Sequence, residues 1–363
     1  MKKICLVFGG DSLENEISIL TALKVKDELI KYSYPFELVY LDHDGNFYGG
    51  EGLINKNNYH HKLHFKKGEF INKNDEYYFK YGFKKVKFDL VFLLCHGLHA
   101  EDGTVGGYFD TLKIPCLYPG LEVSSILQNK TLTKKLVNII NIPVTKSITL
   151  LEREYKDKID LIDEKLSYPL IVKPNYLGSS IGVRKVLNKK DLNNSLFEVF
   201  RYDNSALIEE CVENLKEINV AIFRYKDKLI TSEVERVNND DKVLSFYDKY
   251  DNYSFNDSHI IPADIPSKIL KKVLYYSKRA YNYLDIKSVV RFDFLFDQQK
   301  NEVYLNEINA IPGSLSYYLF EKQDIKMIDL IEMLIEQYYL DYNNQKRKIY
   351  SYKEDFLSTL KEK

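Results

Sequence analysis

Arg291 and Asp293 alternate along one strand-like run, Glu307 and Asn309 alternate along the next, and the second run ends at Pro312-Gly313-Ser314. Side chains two apart on a strand share a face, so pairing these runs brings two carboxylates and an amide oxygen together. Hard oxygen donors of this kind suit Mg²⁺ that shares its coordination with substrate phosphates. An arginine beside them can hold a developing anion. One such run alone reads as the polar face of a hairpin; two in succession before a Pro-Gly turn read as a site.

A second group is Lys173, at the end of the run 170–174, followed by Gly178-Ser179-Ser180-Ile181-Gly182. An ammonium facing a loop of small residues, whose backbone N–H groups can approach oxygens closely, is chemistry for a polyphosphate. The spacing is not that of a Walker loop. His96 follows an apolar run at its carboxyl end, where α/β sheets bind ligands. Glu101 and Asp102 are of the types that fix a loop through backbone hydrogen bonds.

These residues need a frame to position them. The apolar run 3–8, Gly9-Gly10 and the helical pattern 15–31 predict strand, turn and helix; strands follow at 36–41, 88–95 and 114–118, with a hairpin-like region reaching about 83. Alternation of strands and helices predicts a parallel sheet. A helix is expected over 123–141, strands over 170–174, 181–186 and 207–210, and a hairpin of 218–224 with 228–234 turning near Asp227. A helix over 266–284, strands over 288–296 and 302–308, and a closing helix over 327–339 complete the reading. The first boundary falls near residue 120.

The chain has 363 residues with 52 Lys plus Arg against 53 Asp plus Glu, a net charge of -1, so neither nucleic acid nor an anionic membrane is expected as its main partner. Hydrophobic residues at 45% and charged ones at 29% describe a chain with a real core rather than a disordered one. Its apolar runs fall well short of the ~20 residues a bilayer crossing needs. Cys5, Cys95, Cys116 and Cys211 are scattered without metal-site or disulfide spacing, and are expected as buried thiols in a cytoplasmic protein.

In order and spacing, the Lys-Pro strand, the Gly-Ser-Ser loop, Ile208-Glu209-Glu210-Cys211-Val212 and the Asp/Glu/Asn trio resemble the ATP-grasp fold. More closely, the chain resembles the D-alanine:D-alanine ligase family. Phe8-Gly9-Gly10-Asp11-Ser12-Leu13-Glu14-Asn15-Glu16-Ile17-Ser18 is similar to the family's opening motif, and His96-Gly97-Leu98-His99-Ala100-Glu101-Asp102-Gly103 to its His-Gly-x-x-Gly-Glu-Asp-Gly. The resemblance runs from about residue 3 to 320 and implies an α/β chain. A Rossmann-like parallel-sheet domain (1–120) would precede a two-lobed ATP-grasp fold, with a central lobe (121–205), a C-terminal lobe carrying the metal site (206–345) and a charged tail (346–363).

The resemblance further implies ATP with two Mg²⁺ ions, Mn²⁺ being an acceptable substitute, and D-amino acids as substrates for peptidoglycan precursor synthesis. Lys130 and Lys173 would touch the phosphates, with Ser179 and Ser180 in the loop over them. Glu209 would accept from the adenine amino group, Cys211 and Val212 would edge the base, and Glu217 would hold the ribose. Asp293, Glu307 and Asn309 would bind the metal. Glu16 would hold the first ammonium, linked to Ser179, and His96 would lie at the same substrate. Arg291 and the Gly313 N–H would stabilise the oxyanion. Relatives are commonly dimers, which implies a homodimer.

The chain departs from the family pattern in three places, of which Ala100 for a glycine is the least informative. The lid motif Phe-Tyr-Asp-Tyr-Glu-Ala-Lys-Tyr is met here by Phe246-Tyr247-Asp248-Lys249-Tyr250-Asp251-Asn252-Tyr253, so the lid pair is either Asn252-Tyr253 or Lys249-Tyr250. Where the family's Ser-Leu holds the carboxylate of the second amino acid, this chain has Tyr318-Leu319, which leaves D-alanine, D-serine, D-lactate or another acceptor open. A nucleotide-binding regulatory protein is the non-enzymatic alternative; the intact lysines, arginine and oxygen trio argue against it.

Overall fold

The computed structural model describes residues 1–237 and 259–345; the lid candidates Lys249, Tyr250, Asn252 and Tyr253 and the tail 346–363 lie outside the described residues. β1 (Ile4–Gly9), α1 (Asn15–Lys31) and β2 (Phe36–Leu41) stand where hydrophobic periodicity puts them. β1 is buried at every position, as a central parallel strand must be. β3 (Phe47–Gly49), β4 (Lys66–Lys73), β5 (Glu76–Tyr81) and β6 (Lys84–Phe88) form an antiparallel meander, and β7 (Leu90–Leu93), α2 (Thr104–Thr111) and β8 (Cys116–Leu117) close the unit. The eight strands run β6-β5-β4-β3-β2-β1-β7-β8, parallel from β2 to β8.

The single strand expected over 88–95 is in fact two: Phe88 ends β6, and the Asp89 carboxylate accepts from the Lys3 N–H at 2.7 Å before β7 begins. The helix expected over 123–141 is likewise broken, into α3 (Leu121–Gln128) and α4 (Lys130–Ile139). Asn129 adopts extended backbone, and its side chain accepts from the Leu132 N–H at 2.9 Å, an N-cap that restarts the helix. The break puts Lys130 at the first position of α4, with Lys134 one turn later on the same face.

β9 (Ser147–Leu151), α5 (Tyr155–Lys158), α6 (Asp160–Lys165), β10 (Leu170–Pro174), β11 (Arg184–Val186), α7 (Lys189–Phe200) and β12 (Ser205–Glu210) build a second sheet, β11-β10-β12-β9. β11 is shorter than the expected 181–186, because Ser179 and Ser180 take left-handed backbone (φ 50° and 59°) and the chain is still turning there. β12 belongs to this sheet. The change of sheet therefore falls between Glu210 and Leu215, and the expected boundary at 205/206 cuts β12 from its partners.

β13 (Leu215–Tyr225), β14 (Lys228–Thr231), β15 (Glu235–Val237), β16 (His259–Ile260), α8 (Ser267–Tyr283), β17 (Val290–Asp297) and β18 (Glu302–Asn309) form the third sheet, β16-β15-β13-β17-β18, with β14 beside β13. A 3₁₀ stretch, Gly313–Leu319, leads to α9 (Met327–Gln345). Packing crosses the order of the chain. Val123, Leu127 and Val137 of α3 and α4 share a core with Val220, Phe292 and Ile308 of the third sheet, while Leu330, Ile331 and Leu334 of α9 pack on Leu6 and Phe8 of the first. Cys5, Cys95 and Cys116 are buried as expected, whereas Cys211 is only half-buried. Among the described residues no helix is long and apolar enough to cross a membrane.

Phe292 is fully buried and Phe83 fully exposed. Phe292→Ala should therefore cost about 3–5 kcal/mol, read as a lower denaturation midpoint, and Phe83→Ala less than about 0.5 kcal/mol.

Candidate active site

The third sheet assembles the oxygen cluster. Asp293 pairs directly with Glu307, and Arg291 with Asn309, so all four project from one face. The register then shifts between Asp293 and Phe294, which leaves Asn306 as an extra residue on β18. Such a bulge re-aims a side chain, and Asn306 and Glu307, neighbours that would otherwise face opposite ways, both line the same cleft. Arg291 donates to Asp293 through Nε at 2.7 Å and Nη2 at 2.8 Å, and Asn309 Nδ2 donates to Asp293 Oδ2 at 2.9 Å. Burial pushes the Asp293 carboxyl up to about 6; Arg291 opposes this, and the carboxylates of Glu307 and Glu217 add to it.

On the other side of Asp293 the row continues through Asn219 on β13 to Glu235 on β15. Asn219 Nδ2 donates to Glu235 at 2.9 Å, and its Oδ1 is buried with no hydrogen-bond partner. Crowded carboxylates beside an orphaned buried oxygen are what a divalent cation with oxygen ligands relieves, so the residues present fit Mg²⁺ or Mn²⁺.

A cleft of about 450 Å³ opens between the second and third sheets. Lys130, Lys173, Ser180, Cys211, Val212 and Glu217 line it, joined by Glu209 and Glu307, while Ile171, Leu177, Leu215 and Leu295 supply apolar wall. Its size and mixed lining suit a nucleotide. Lys173 Nζ donates to Asn306 Oδ1 at 3.0 Å and so ties the two sheets across the cleft floor. Lys130 Nζ donates to the Leu177 carbonyl at 2.6 Å and lies 3.4 Å from Glu307.

Glu209 departs from its expected role. Its carboxylate sits 2.5 Å from Lys134 Nζ and 2.6 Å from Lys173 Nζ, and accepts from the Thr145 hydroxyl at 2.6 Å. Burial alone would raise it, but the two ammoniums win and hold it well below the usual carboxylate range. Its first duty is thus to hold lysines, with little acceptor capacity left for a base. Lys134 is absent from the sequence reading; its place one helical turn after Lys130 was the available signal.

The first sheet supplies a third wall, and here one assignment is corrected. The Ser179 hydroxyl donates to Glu14, not to Glu16. Glu14 is 8% exposed just before α1, whereas Glu16 lies in the first turn with its side chain in solvent. Two residues further along a helix is about 200° of rotation, enough to reverse the direction of the side chain. Two glycines make room for the Glu14 carboxylate: a Cβ on Gly97 would lie 2.9 Å from it and one on Gly178 3.0 Å.

Glu101 and Asp102 fix the loop as expected: Gly97 N–H donates to Glu101 at 3.2 Å, and Thr104 and His99 N–H groups donate to Asp102. Glu101 also accepts from the Ile311 N–H at 2.7 Å, clamping the first sheet to the third. Burial, then the charge of Glu14, pushes Glu101 up to about 7. His96, expected at substrate, packs beside α1 and the Ile311 backbone. It is 4% exposed, its Nε2 lies 3.2 Å from the Thr21 hydroxyl, and the Ile311 backbone engages the ring. Burial lowers its pKa to about 4, so the imidazole is neutral.

Beyond Gly313 the chain makes three successive left-handed residues, Ser314, Leu315 and Ser316, and the Ser314 N–H donates to the Thr21 hydroxyl at 3.2 Å. Left-handed backbone at non-glycine residues is strained and needs such outside support. This turn delivers Tyr318 to Glu235, which accepts its hydroxyl at 3.1 Å. Leu319 is fully buried in the core, and its carbonyl accepts from the Glu233 N–H at 3.1 Å.

The family model for the D-ala D-ala ligase N-terminus matches residues 3–119, and that for the D-ala D-ala ligase C-terminus matches residues 136–336. A D-alanine–D-alanine ligase of Enterococcus faecalis is 34% identical over 350 residues, covering 92% of this chain and 98% of the relative. Among solved structures, the D-alanine-D-alanine ligase of Helicobacter pylori matches with TM-score 0.75 at 29% identity, covering 93% of this chain and 98% of that one. The VanG D-Ala:D-Ser ligase of Enterococcus faecalis matches with TM-score 0.78 at 25% identity, covering 93% and 99%. With both family models matched along most of its length, and the cleft and oxygen cluster in place, this chain belongs to the D-alanine–D-alanine ligase family.

Proposed function

We propose that this protein joins two D-alanines with consumption of ATP, giving D-alanyl-D-alanine, ADP and phosphate. The observation that carries this reading is the cleft itself: lysines from the second sheet and α4 meet carboxylates from the third across a nucleotide-sized space.

A carboxylate is a poor acyl donor, and transfer of the γ-phosphoryl to it creates a leaving group. Lys130 and Lys173 lie where they can neutralise the phosphates, with Ser180 and the glycine loop beside them. Cys211 and Val212 edge the base, and Glu217 is available to the ribose hydroxyls. Asp293, Glu307 and Asn309 would hold Mg²⁺, which when bound supplies positive charge to the phosphates. Glu14 replaces Glu16 as the carboxylate that receives the ammonium of the first D-alanine, and Ser179 orients it. The amine of the second D-alanine attacks the acyl phosphate carbonyl, phosphate departs, and the amine loses a proton as the amide forms. Arg291 commits two N–H groups to Asp293 and turns the others, with the Gly313 N–H, to the tetrahedral oxyanion. Water must be excluded throughout, because an acyl phosphate hydrolyses.

Lys173→Ala should lower D-alanine-dependent ADP release by about 10³-fold with the thermal transition retained, and chelation of divalent cations should abolish it reversibly. Comparing D-alanine with D-serine and D-lactate in the same assay, with the product identified by mass, tests the acceptor; preference for D-serine would overturn D-alanine. Glu14→Gln should reduce kcat/KM for the first D-alanine by about 100-fold, whereas Glu16→Gln should stay within about twofold.

A further inference from the structure

Glu235 has no exposed surface and no part in the chemistry above. Its Oε2 accepts from Asn219 Nδ2 at 2.9 Å and from the Tyr318 hydroxyl at 3.1 Å, and its Oε1 lies 2.6 Å from His259 Nδ1. Three donors from β13, β16 and the turn after Gly313 thus meet on one carboxylate, which is how a buried charge is tolerated. Arg291 feels the charge of Glu235, so this hub borders the guanidinium assigned above to the oxyanion.

Tyr318 has one O–H, and that O–H is donated to Glu235. Burial, reinforced by the Glu235 charge, keeps the phenol protonated, so the donor persists at working pH. The hydroxyl that stands in place of the family's serine is therefore directed into the protein, and the Tyr318 ring is held at both ends: by Glu235 at the hydroxyl, and at the backbone by the Thr21-supported turn.

We propose that Glu235 is a positioning residue for the acceptor half of the reaction: by fixing the Tyr318 ring as a rigid wall, it admits a methyl-bearing second amino acid and disfavours larger or hydroxylated ones. The proposal rests on the ligase reading above and on the resemblance that sets Tyr318-Leu319 where the family holds the carboxylate of the second amino acid. Asn219 and His259 hold Glu235 in turn, so the wall is braced from two further strands.

The test uses the full chain with Glu235→Gln, Glu235→Ala, Tyr318→Phe and the Glu235→Ala/Tyr318→Phe pair. Expected is a rise of about tenfold or more in KM for the second D-alanine in Glu235→Ala and Tyr318→Phe, a smaller rise in Glu235→Gln, and ATP KM within about twofold throughout. The pair should be no worse than the worse single variant, because both remove one contact, and the D-serine to D-alanine ratio should rise. Equal shifts in ATP and acceptor KM, or additive effects in the pair, would overturn the proposal. Crystals of Glu235→Ala give a readout independent of turnover: a displaced Tyr318 ring supports the proposal and an unmoved one sinks it. Lack of D-alanine-dependent turnover by the wild-type chain, with the ring displaced in those crystals, would instead overturn the ligase reading.

Discussion

The cleft depends on how Glu209 is paired. A lone carboxylate buried there would cost far more than its hydrogen bonds return, and two buried lysines without it would repel each other and their surroundings. Together, Lys134, Glu209 and Lys173 form a compact unit with one net positive charge, closed by the Thr145 hydroxyl and extended by Asn306. Lys130 adds a second cation, opposed by Glu307. The result is a preorganised floor whose residual charge is opposite to that of a polyphosphate and whose geometry is already in place before a ligand arrives.

In the reaction proposed above, all three sheets contribute residues. The second contributes Lys173 and Glu209, the third the oxygen cluster and Arg291, and the first the Glu14 carboxylate at the far end. Their relative placement is fixed by long-range bonds rather than by the chain between them. Glu101 to Ile311 joins the first sheet to the third, Ser179 to Glu14 joins the second to the first, and Lys173 to Asn306 joins the second to the third. Lys173 and Asn306 line the cleft, and Ser179 stands between Gly178 and Ser180, which line it too. Docking of the sheets and assembly of the site are thus the same event.

The acceptor side follows a different logic. There, in the proposed reading, a strained left-handed turn and a buried carboxylate place an aromatic ring. Strain of this kind persists where surroundings over-determine it, and Thr21, His96 and Glu101 supply that support from the first sheet.

Much of this was legible in the residues alone. The alternation in 290–297 and 302–309 determined that Asp293, Glu307 and Asn309 share a face, because strand geometry has a fixed period of two. The glycine loop and Lys173 could be read as one group for equally local reasons, and both line the cleft. What required tertiary structure was whatever depends on direction at the end of an element or on partners distant in sequence. A cap at Asn129 put Lys130 at the cleft and Lys134 against Glu209; the start of α1 set Glu14 rather than Glu16 against Ser179; a bulge turned Asn306 inward; and burial brought His96 beside Thr21. Periodicity describes which side chains lie together on an element, but only packing decides what stands opposite them, and it is the opposite partner that sets charge and role.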